Sequence, residues 1–284
     1  MIDRRMVLGG AAALLVAAKS ASGDAAIRSI EATLGGGRLG FCAIDTASGR
    51  RIASRADERF AMASTFKLPL AAAVLAEVDR GRRRLDEVIP FAAADLLEYA
   101  PYVRAHPEAR ALPIAGLAEA AVVLSDNTAA NLLLPIVGGP AGLTRFARAQ
   151  GDTVTRLDRN EPELNSNLPG DIRDTTTPVA MASLLRRLLT GPALTPASRA
   201  RLIGWMVACK TGKTRLRAGL PPGWSAGDKT GTGMRGGTGD VAILWPPARP
   251  PIVVACYIDA AEAADAVRDA ACAAVARRIV AQFA

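Results

Sequence analysis

Strand-like runs in this chain are confined to its two ends, and a long, mostly helical stretch separates them, so one sheet has to be assembled from segments far apart in sequence. Near the start, Arg38 to Asp45 and Arg51 to Ser54 flank Thr46-Ala47-Ser48-Gly49-Arg50, a turn that makes them a hairpin. Near the end, Ser225 to Gly231, Val241 to Trp245 and Ile252 to Asp259 are three more β-like runs separated by Gly- or Pro-rich turns. A helical pattern over Ala25 to Leu34 stops at Gly35-Gly36-Gly37, and an alanine-rich helix is expected over Ala261 to Phe283. The middle, Ser64 to about Ala208, is helical, with apolar runs at Ile114 to Leu124 and Pro178 to Leu189. A Gly/Pro/Asn-rich insertion, Asp158 to Asp174, breaks it as an Ω-type loop. The expected fold is α/β in the α+β sense, with two lobes. Residues 24–55 and 209–284 form a five-stranded antiparallel sheet flanked by helices. Residues 56–208 form an all-helical lobe carrying the loop at 158–174, and the site lies in the cleft between the lobes. No repeat of 20 to 50 residues is present.

Composition narrows the function classes. With 284 residues, half of them hydrophobic and 22% charged, the chain is an ordinary globular protein with a sizeable core. Arg4-Arg5 followed by the short apolar stretch Gly9 to Ala18 reads as an export signal over residues 1–23, of the twin-arginine kind, with cleavage near Asp24. No later run is long and apolar enough for a membrane helix, so the expectation is a soluble periplasmic or secreted protein with no membrane partner. The net charge of +8 falls to about +6 once Asp3, Arg4, Arg5 and Lys19 leave with the signal. The arginines are scattered and aromatics make up only 4%, which argues against a nucleic-acid partner. The four cysteines Cys42, Cys209, Cys256 and Cys272 form no C-x-x-C pair, and His106 is the only histidine, so no metal site is expected. Cys42 and Cys256 both lie in strand-like runs and would meet only if those strands pair; buried free thiols are the expected state.

Two apparent cofactor motifs fail on context. Gly231-Thr232-Gly233-Met234-Arg235-Gly236 fits G-x-G-x-x-G, but no long helix follows and Gly237 extends the break. Gly212-Lys213-Thr214 resembles the end of a phosphate loop, yet Val207 stands where the first glycine is required. No cofactor is expected. A histidine-based serine triad is equally unsupported with His106 alone, so a reacting serine needs a lysine or carboxylate base. Ser64-Thr65-Phe66-Lys67 meets that need, because residues i and i+3 project from one face of a helix whose start favours an ionising oxygen. Alone the pattern is weak, with about 0.2 chance matches for this composition. Pro69 conflicts with a regular helix here, since its ring would crowd the Thr65 carbonyl unless the first turn is irregular. Ser125-Asp126-Asn127 reads first as a cap cluster between helices; after S-x-x-K, Ser125 becomes a proton donor to a leaving nitrogen and Asn127 an amide ligand. Lys-Thr-Gly occurs at 210–212, as the turn ending a helix, and at Lys229-Thr230-Gly231, in a strand-like run that can lie along an extended substrate while Lys229 attracts a carboxylate.

In this order the three motifs resemble those of the penicillin-recognising serine enzymes. The segment Arg159-Asn160-Glu161-Pro162-Glu163-Leu164-Asn165 narrows the resemblance to the class A serine β-lactamases, across roughly Asp24 to Ala284. The resemblance implies a monomeric hydrolase of small β-lactam substrates. Ser64 would be the nucleophile, Lys67 and Ser125 the proton-transfer partners, and Glu161 with Asn165 the holders of the deacylating water; whether Lys67 or Glu161 is the acylation base stays open. It further implies an oxyanion hole from the N–H groups of Ser64 and Thr232, a cleft wall at Tyr99, and substrate contacts from Asn127, Arg215, Lys229, Thr230 and Thr232. Glu163 is left a structural role. Ala63/Gly233 and Ala71/Ala118 stand where some members carry disulfides, so neither bridge is expected.

Two other functions share these residues. A D-alanyl-D-alanine peptidase or transpeptidase would use Ser64, Lys67 and Ser125 but has no need of Glu161, and a β-lactam sensor domain would normally stay tethered to a membrane.

Overall fold

The computed structural model describes residues 25–283, so the export signal expected at 1–23 lies outside the described residues. The sheet combines β1 (Arg38–Asp45) and β2 (Arg51–Ser54) with β3 (Ser225–Thr232), β4 (Gly237–Trp245) and β5 (Ile252–Asp259). Its order is β2-β1-β5-β4-β3 with every neighbour antiparallel, and β1 pairs with β5 from Arg38↔Asp259 to Asp45↔Ile252. Apart from the single turn Pro101–Arg104, the α-helices among the described residues are α1 (25–32), α2 (Lys67–Asp79), α3 (Ile114–Val123), α4 (Asn127–Leu133), α5 (Gly139–Ala149), α6 (Pro178–Thr190), α7 (Pro196–Val207) and α8 (Asp265–Phe283).

Alternation along the strands sorts side chains to two cores. Val253, Ala255 and Tyr257 of β5, with Cys42 and Ile44 of β1, pack toward the helical middle. Phe41 and Ala43, with Val254, Cys256 and Ile258, pack on the other face against Val275 and Ile279 of α8. Helix α2 sits at the centre of the first core, and its residues from Lys67 to Ala76 are all buried. A helix apolar on every side is stable only inside other elements, so Leu70→Ala would cost about 2–5 kcal/mol.

The sheet geometry rules out a bridge between Cys42 and Cys256. Cys42 pairs with Ala255 and Phe41 with Cys256, so the two thiols point to opposite faces, and all four cysteines are free and buried.

Several boundaries differ from the sequence expectation. Strand β4 begins at Gly237 rather than Val241, because the break at 233–236 is a tight turn closed by the Gly233 N–H donating to the Gly237 carbonyl at 2.8 Å. The last helix begins at Asp265, not Ala261. The helical middle also contains two short ladders, Phe60–Ala61 with Thr175–Thr176 and Val88–Pro90 with Ala111–Pro113. Such two- and three-residue pairings carry too few alternating positions to be seen in a sequence.

Candidate active site

Ser64 lies in a 3₁₀ turn, Ala63–Phe66, rather than in a regular helix. The α-helix proper starts at Lys67, which makes Pro69 its third residue, where a missing N–H costs nothing and no bond to Thr65 is needed. The irregular first turn that Pro69 demanded is therefore present. In 3₁₀ geometry residues i and i+3 eclipse, and the Lys67 Nζ accordingly donates to the Ser64 Oγ at 2.8 Å. Ser64 is not a helix cap, since Met62 holds that position without a side-chain bond. Ala63, just ahead of it, has φ of 42°, and Ser125 across the cleft has φ of 60°; both are left-handed residues that only firm surroundings tolerate.

Those surroundings are identifiable. The Thr65 Oγ1 meets the Tyr257 hydroxyl of β5 at 3.1 Å and donates to the Met62 carbonyl at 2.7 Å. Strand β3 presses on the same turn: a Cβ at Gly231 would stand 3.1 Å from the Ser64 nitrogen and 2.7 Å from the Met62 oxygen, so only glycine lets the strand approach. Asp126 fills the cap role expected of its motif. One carboxylate oxygen accepts from Ala129 N at 2.8 Å at the start of α4, and the other from Tyr102 N and Val103 N at 2.8 and 3.1 Å. Capping by Asp126 leaves Ser125 and Asn127 to face Lys67, so the structural reading of the motif belongs to Asp126.

Lys67 is fully buried and its Nζ has five acceptors within reach: Ser64 Oγ at 2.8 Å, Glu161 Oε1 at 2.9 Å, Ser125 O at 2.9 Å, Asn127 Oδ1 at 2.5 Å and Ser125 Oγ at 3.5 Å. An ammonium has only three N–H bonds to offer. Burial holds the Lys67 pKa below the ordinary lysine range, opposed by the Glu161 charge. The Ser64 hydroxyl also reaches Glu161 Oε1 at 3.2 Å. On the far side of Ser125, Lys229 Nζ donates to the Ser125 Oγ at 2.9 Å and to the Thr230 carbonyl at 2.6 Å. Burial, and then the neighbouring Lys67 charge, pushes the Lys229 pKa down to about 7.

The Ω-type loop delivers the glutamate. Asp174 closes it, accepting from the backbone N–H groups of Asp158 and Arg159 at 2.7 and 2.9 Å and pairing with Arg159 Nε at 2.6 Å. The Asp174 carbonyl in turn accepts from Met62 N at 2.9 Å, which ties the loop to the turn before Ser64. Asn165 Nδ2 donates to Glu161 Oε2 at 2.5 Å, while Asn165 Oδ1 is buried with no protein donor. Glu163 is exposed in the first turn of the 3₁₀ segment Glu163–Asn165.

The cleft, about 350 Å³, is lined by Ser64, Tyr99, Ser125, Asn127, Asn165, Thr211, Arg215, Thr230 and Thr232. Tyr99 is half exposed on its wall, with its hydroxyl donating to the Leu124 carbonyl at 3.2 Å. Arg215 is buried rather than a surface side chain. It donates to Asp269 at 2.7 Å, to the Gly231 and Gly239 carbonyls at 2.8 and 2.9 Å, and to Thr232 Oγ1 at 2.7 Å.

Sequence reading missed three contributors. Asn131 brackets the Glu161 backbone with bonds of 2.8 and 3.0 Å. Thr211, inside the Lys-Thr-Gly copy dismissed as a turn, meets Thr230 Oγ1 at 2.5 Å, and Gly212 beside it leaves no room for a Cβ, which would fall 1.6 Å from Asp228 Oδ2. The repetition of Lys-Thr-Gly was the one available signal. Asp240, fully buried, accepts from Leu216 N at 3.0 Å and so anchors the segment after Arg215; burial raises its pKa well above the ordinary carboxylate range.

Among the described residues no group of three or more His, Cys, Asp or Glu side chains is arranged to hold a metal ion, and no helix is long and apolar enough to cross a membrane. The model of the β-lactamase enzyme family matches residues 24–283. The chain is 47% identical over 261 residues to the β-lactamase AST-1 of Nocardia asteroides, covering 92% of this chain and 83% of that one. It is 49% identical over 225 residues to the β-lactamase L2 of Stenotrophomonas maltophilia, covering 79% and 74%. Among solved structures, an ancestral class A β-lactamase reconstructed for Gram-negative bacteria is similar with a TM-score of 0.87 at 56% identity, covering 91% of this chain and 100% of that one. A β-lactamase from Xanthomonas campestris gives a TM-score of 0.86 at 48% identity, covering 91% and 99%.

Proposed function

The chain belongs to the class A β-lactamases, and from that premise we propose that it opens β-lactam rings through an ester on Ser64 that a Glu161-activated water then hydrolyses. One observation carries the reading: the Ser64 Oγ lies 2.8 Å from an amine and 3.2 Å from a carboxylate, both buried, in a cleft of substrate size.

Attack by Ser64 forms a C–O bond at the ring carbonyl while its proton passes to Lys67 or Glu161. Both bases are in hydrogen-bond reach of the hydroxyl, Lys67 at 2.8 Å and Glu161 at 3.2 Å, and burial makes the Lys67 ammonium easier to deprotonate than an ordinary lysine. The oxygen that gains charge is received by the N–H groups of Ser64 and Thr232. Collapse breaks the C–N bond, and Ser125 gives the nitrogen its proton, replaced from Lys67 or Lys229. A water held between Glu161 and the donor-free Asn165 Oδ1 then loses a proton to Glu161, attacks the ester, and returns the Ser64 oxygen as a hydroxyl.

The substrate carboxylate is taken by Thr230, Thr232 and Arg215 in the field of Lys229, which is itself wholly buried. Asn127 binds the side-chain amide and Tyr99 stacks along the wall. All of these groups come from one chain, which fits a monomer, and Arg4-Arg5 ahead of an apolar run supports export to the periplasm or beyond.

Hydrolysis of a chromogenic cephalosporin by the purified mature chain tests the proposal. Turnover far beyond one equivalent is expected, and Ser64→Ala should give neither turnover nor a penicilloyl adduct by intact-protein mass spectrometry. An adduct on that variant would move the nucleophile elsewhere.

A further inference from the structure

The two Lys-Thr-Gly copies lie against each other in register. Cys209 and Thr211, in the turn that follows α7, meet Asp228 and Thr230 of β3, and each pair is nineteen residues apart. Residues two apart on a strand share a face. The four side chains therefore form a short polar ladder from the cleft, which Thr211 and Thr230 line, to a fully buried carboxylate. Thr211 Oγ1 stands 2.5 Å from Thr230 Oγ1 and 3.3 Å from Cys209 Sγ. The Cys209 thiol donates to Asp228 Oδ2 at 3.7 Å and is the only donor to that oxygen among the described residues, while Arg217 pairs with Oδ1. Burial, and then the Asp228 charge, push the thiol pKa up, so the sulfur keeps its hydrogen.

Each of the three S–H and O–H groups has one hydrogen to give. The buried carboxylate draws them inward: Thr230 to Thr211, Thr211 to sulfur, thiol to Asp228. In that arrangement Thr230 shows the cleft a lone pair. A substrate carboxylate needs the opposite, a hydrogen from Thr230. Thr230 turns outward without loss only if Thr211 turns as well, giving up its bond to sulfur and donating to Thr230 instead. A thiol sulfur is a weak acceptor, so the bond given up is a weak one. We infer that Cys209 is a positioning residue for recognition of the substrate carboxylate: a weak acceptor behind Thr211 leaves the Thr211–Thr230 pair free to reverse toward an anion. This role rests on the β-lactamase reading above and adds a specificity determinant outside the reacting groups.

The test compares a chromogenic cephalosporin with its methyl ester in wild type, Cys209→Ser and Cys209→Ala. Serine puts a stronger acceptor behind Thr211 and holds the pair inward, so KM for the acid should rise about 3- to 10-fold, the worth of one ordinary hydrogen bond, with kcat unchanged. The methyl ester, which brings no anion, should keep its wild-type KM. Alanine offers Thr211 no acceptor, so KM for the acid should stay level or fall even though the melting midpoint drops, because Asp228 Oδ2 loses its donor. A merely structural role would leave Cys209→Ser near wild type and make Cys209→Ala the weaker binder. In a Thr211→Val background, which removes the link, Cys209→Ser should have no further effect on KM. An unchanged KM in Cys209→Ser, equal losses on acid and ester, a raised KM in Cys209→Ala, or a serine effect that survives Thr211→Val overturns the assignment. Cys209→Ala carries the decision if Cys209→Ser does not fold. A wild-type protein that turns over neither substrate would instead overturn the β-lactamase reading itself, and this role with it.

Discussion

Asn131 holds Glu161 at both ends of its backbone polarity: the Asn131 Nδ2 donates to the Glu161 carbonyl at 2.8 Å, and the Glu161 N–H donates to the Asn131 Oδ1 at 3.0 Å. A side chain on α4, one turn after the Ser-Asp-Asn motif, thereby fixes a loop residue thirty positions away in sequence.

Asn131→Ala removes both contacts and leaves two backbone groups of the loop without their partner, so a loss of about 1–3 kcal/mol in stability is expected from each group that water cannot reach. The kinetic effect should be larger on deacylation than on acylation. A displacement near 1 Å costs up to about 10²-fold in rate, and Ser64 is held by the separate 3₁₀ turn. Stopped-flow burst kinetics checks this, with the acyl-enzyme accumulating in Asn131→Ala. Asn131→Asp, which still accepts from the Glu161 N–H, should recover part of the loss.

Much of this site could be read in the sequence because its chemistry is carried by compact motifs. Ser64 and Lys67, Ser125 and Asn127, Lys229 to Thr232, and Glu161 with Asn165 each sit within a few residues of one another, and their side chains do converge on one cleft. What stayed hidden was whatever acts across long separations. Asn131 and Thr211 contribute by single hydrogen bonds to residues that the fold alone brings near. The same reason explains the cysteines: whether Cys42 and Cys256 can meet depends on register, and a one-residue offset decides the face. The family resemblance pointed to Arg215, but its bonds to two strand carbonyls follow only from the position of β4 beside β3.

The Lys229 amine gives the pH dependence a definite sign. Its folded pKa is pushed down to about 7, below the ordinary lysine value, by burial and by Lys67. Between about 7 and the unfolded value the unfolded chain binds the extra proton, so this group's contribution to stability is gained as pH rises through that window and is lost as pH falls back to about 7. Activity runs the other way. The ammonium that attracts a carboxylate disappears from the free enzyme above about 7, so kcat/KM for carboxylate-bearing substrates should fall with pH. A bound carboxylate holds the proton on Lys229, so kcat should stay flatter. Melting curves of wild type and Lys229→Met across pH, with parallel rate profiles, check both signs. A midpoint difference independent of pH would contradict the shift.

Arg215→Ala tests whether that side chain is an anchor or only a brace. Four of its N–H groups are already used on Asp269, two carbonyls and Thr232, so truncation must destabilise the β3 edge as well as weaken binding. Loss of one charge-assisted contact to substrate is worth about 1.5–3 kcal/mol, or roughly 10- to 150-fold in kcat/KM. A lactam lacking the carboxylate provides the control. If the two substrates lose equally, Arg215 acts by holding Thr232 and the strand rather than by meeting the anion.

Glu161 and Glu163 stand two residues apart on one loop and should behave oppositely. Glu161 is buried, 3.2 Å from the Ser64 Oγ and 2.5 Å from an Asn165 amide whose oxygen has no protein donor, the arrangement on which its proposed role as the base for a water rests. Glu163 points to solvent. Removing a general base typically costs about 10²–10⁴-fold, and if that cost falls mainly on the second half-reaction, Glu161→Ala should release about one equivalent of chromophore and then stall. Mass spectrometry of the stalled enzyme should find the substrate mass added as an ester at Ser64. In Glu163→Ala turnover should continue at nearly the parent rate with no accumulated adduct. Equal slowing of burst and steady state in Glu161→Ala would mean that this carboxylate also takes the Ser64 proton, assigning acylation to it as well as deacylation. Parent-rate turnover in Glu161→Ala would remove the base from the mechanism altogether, leaving Lys67 as the only buried base bonded to the Ser64 hydroxyl among the described residues.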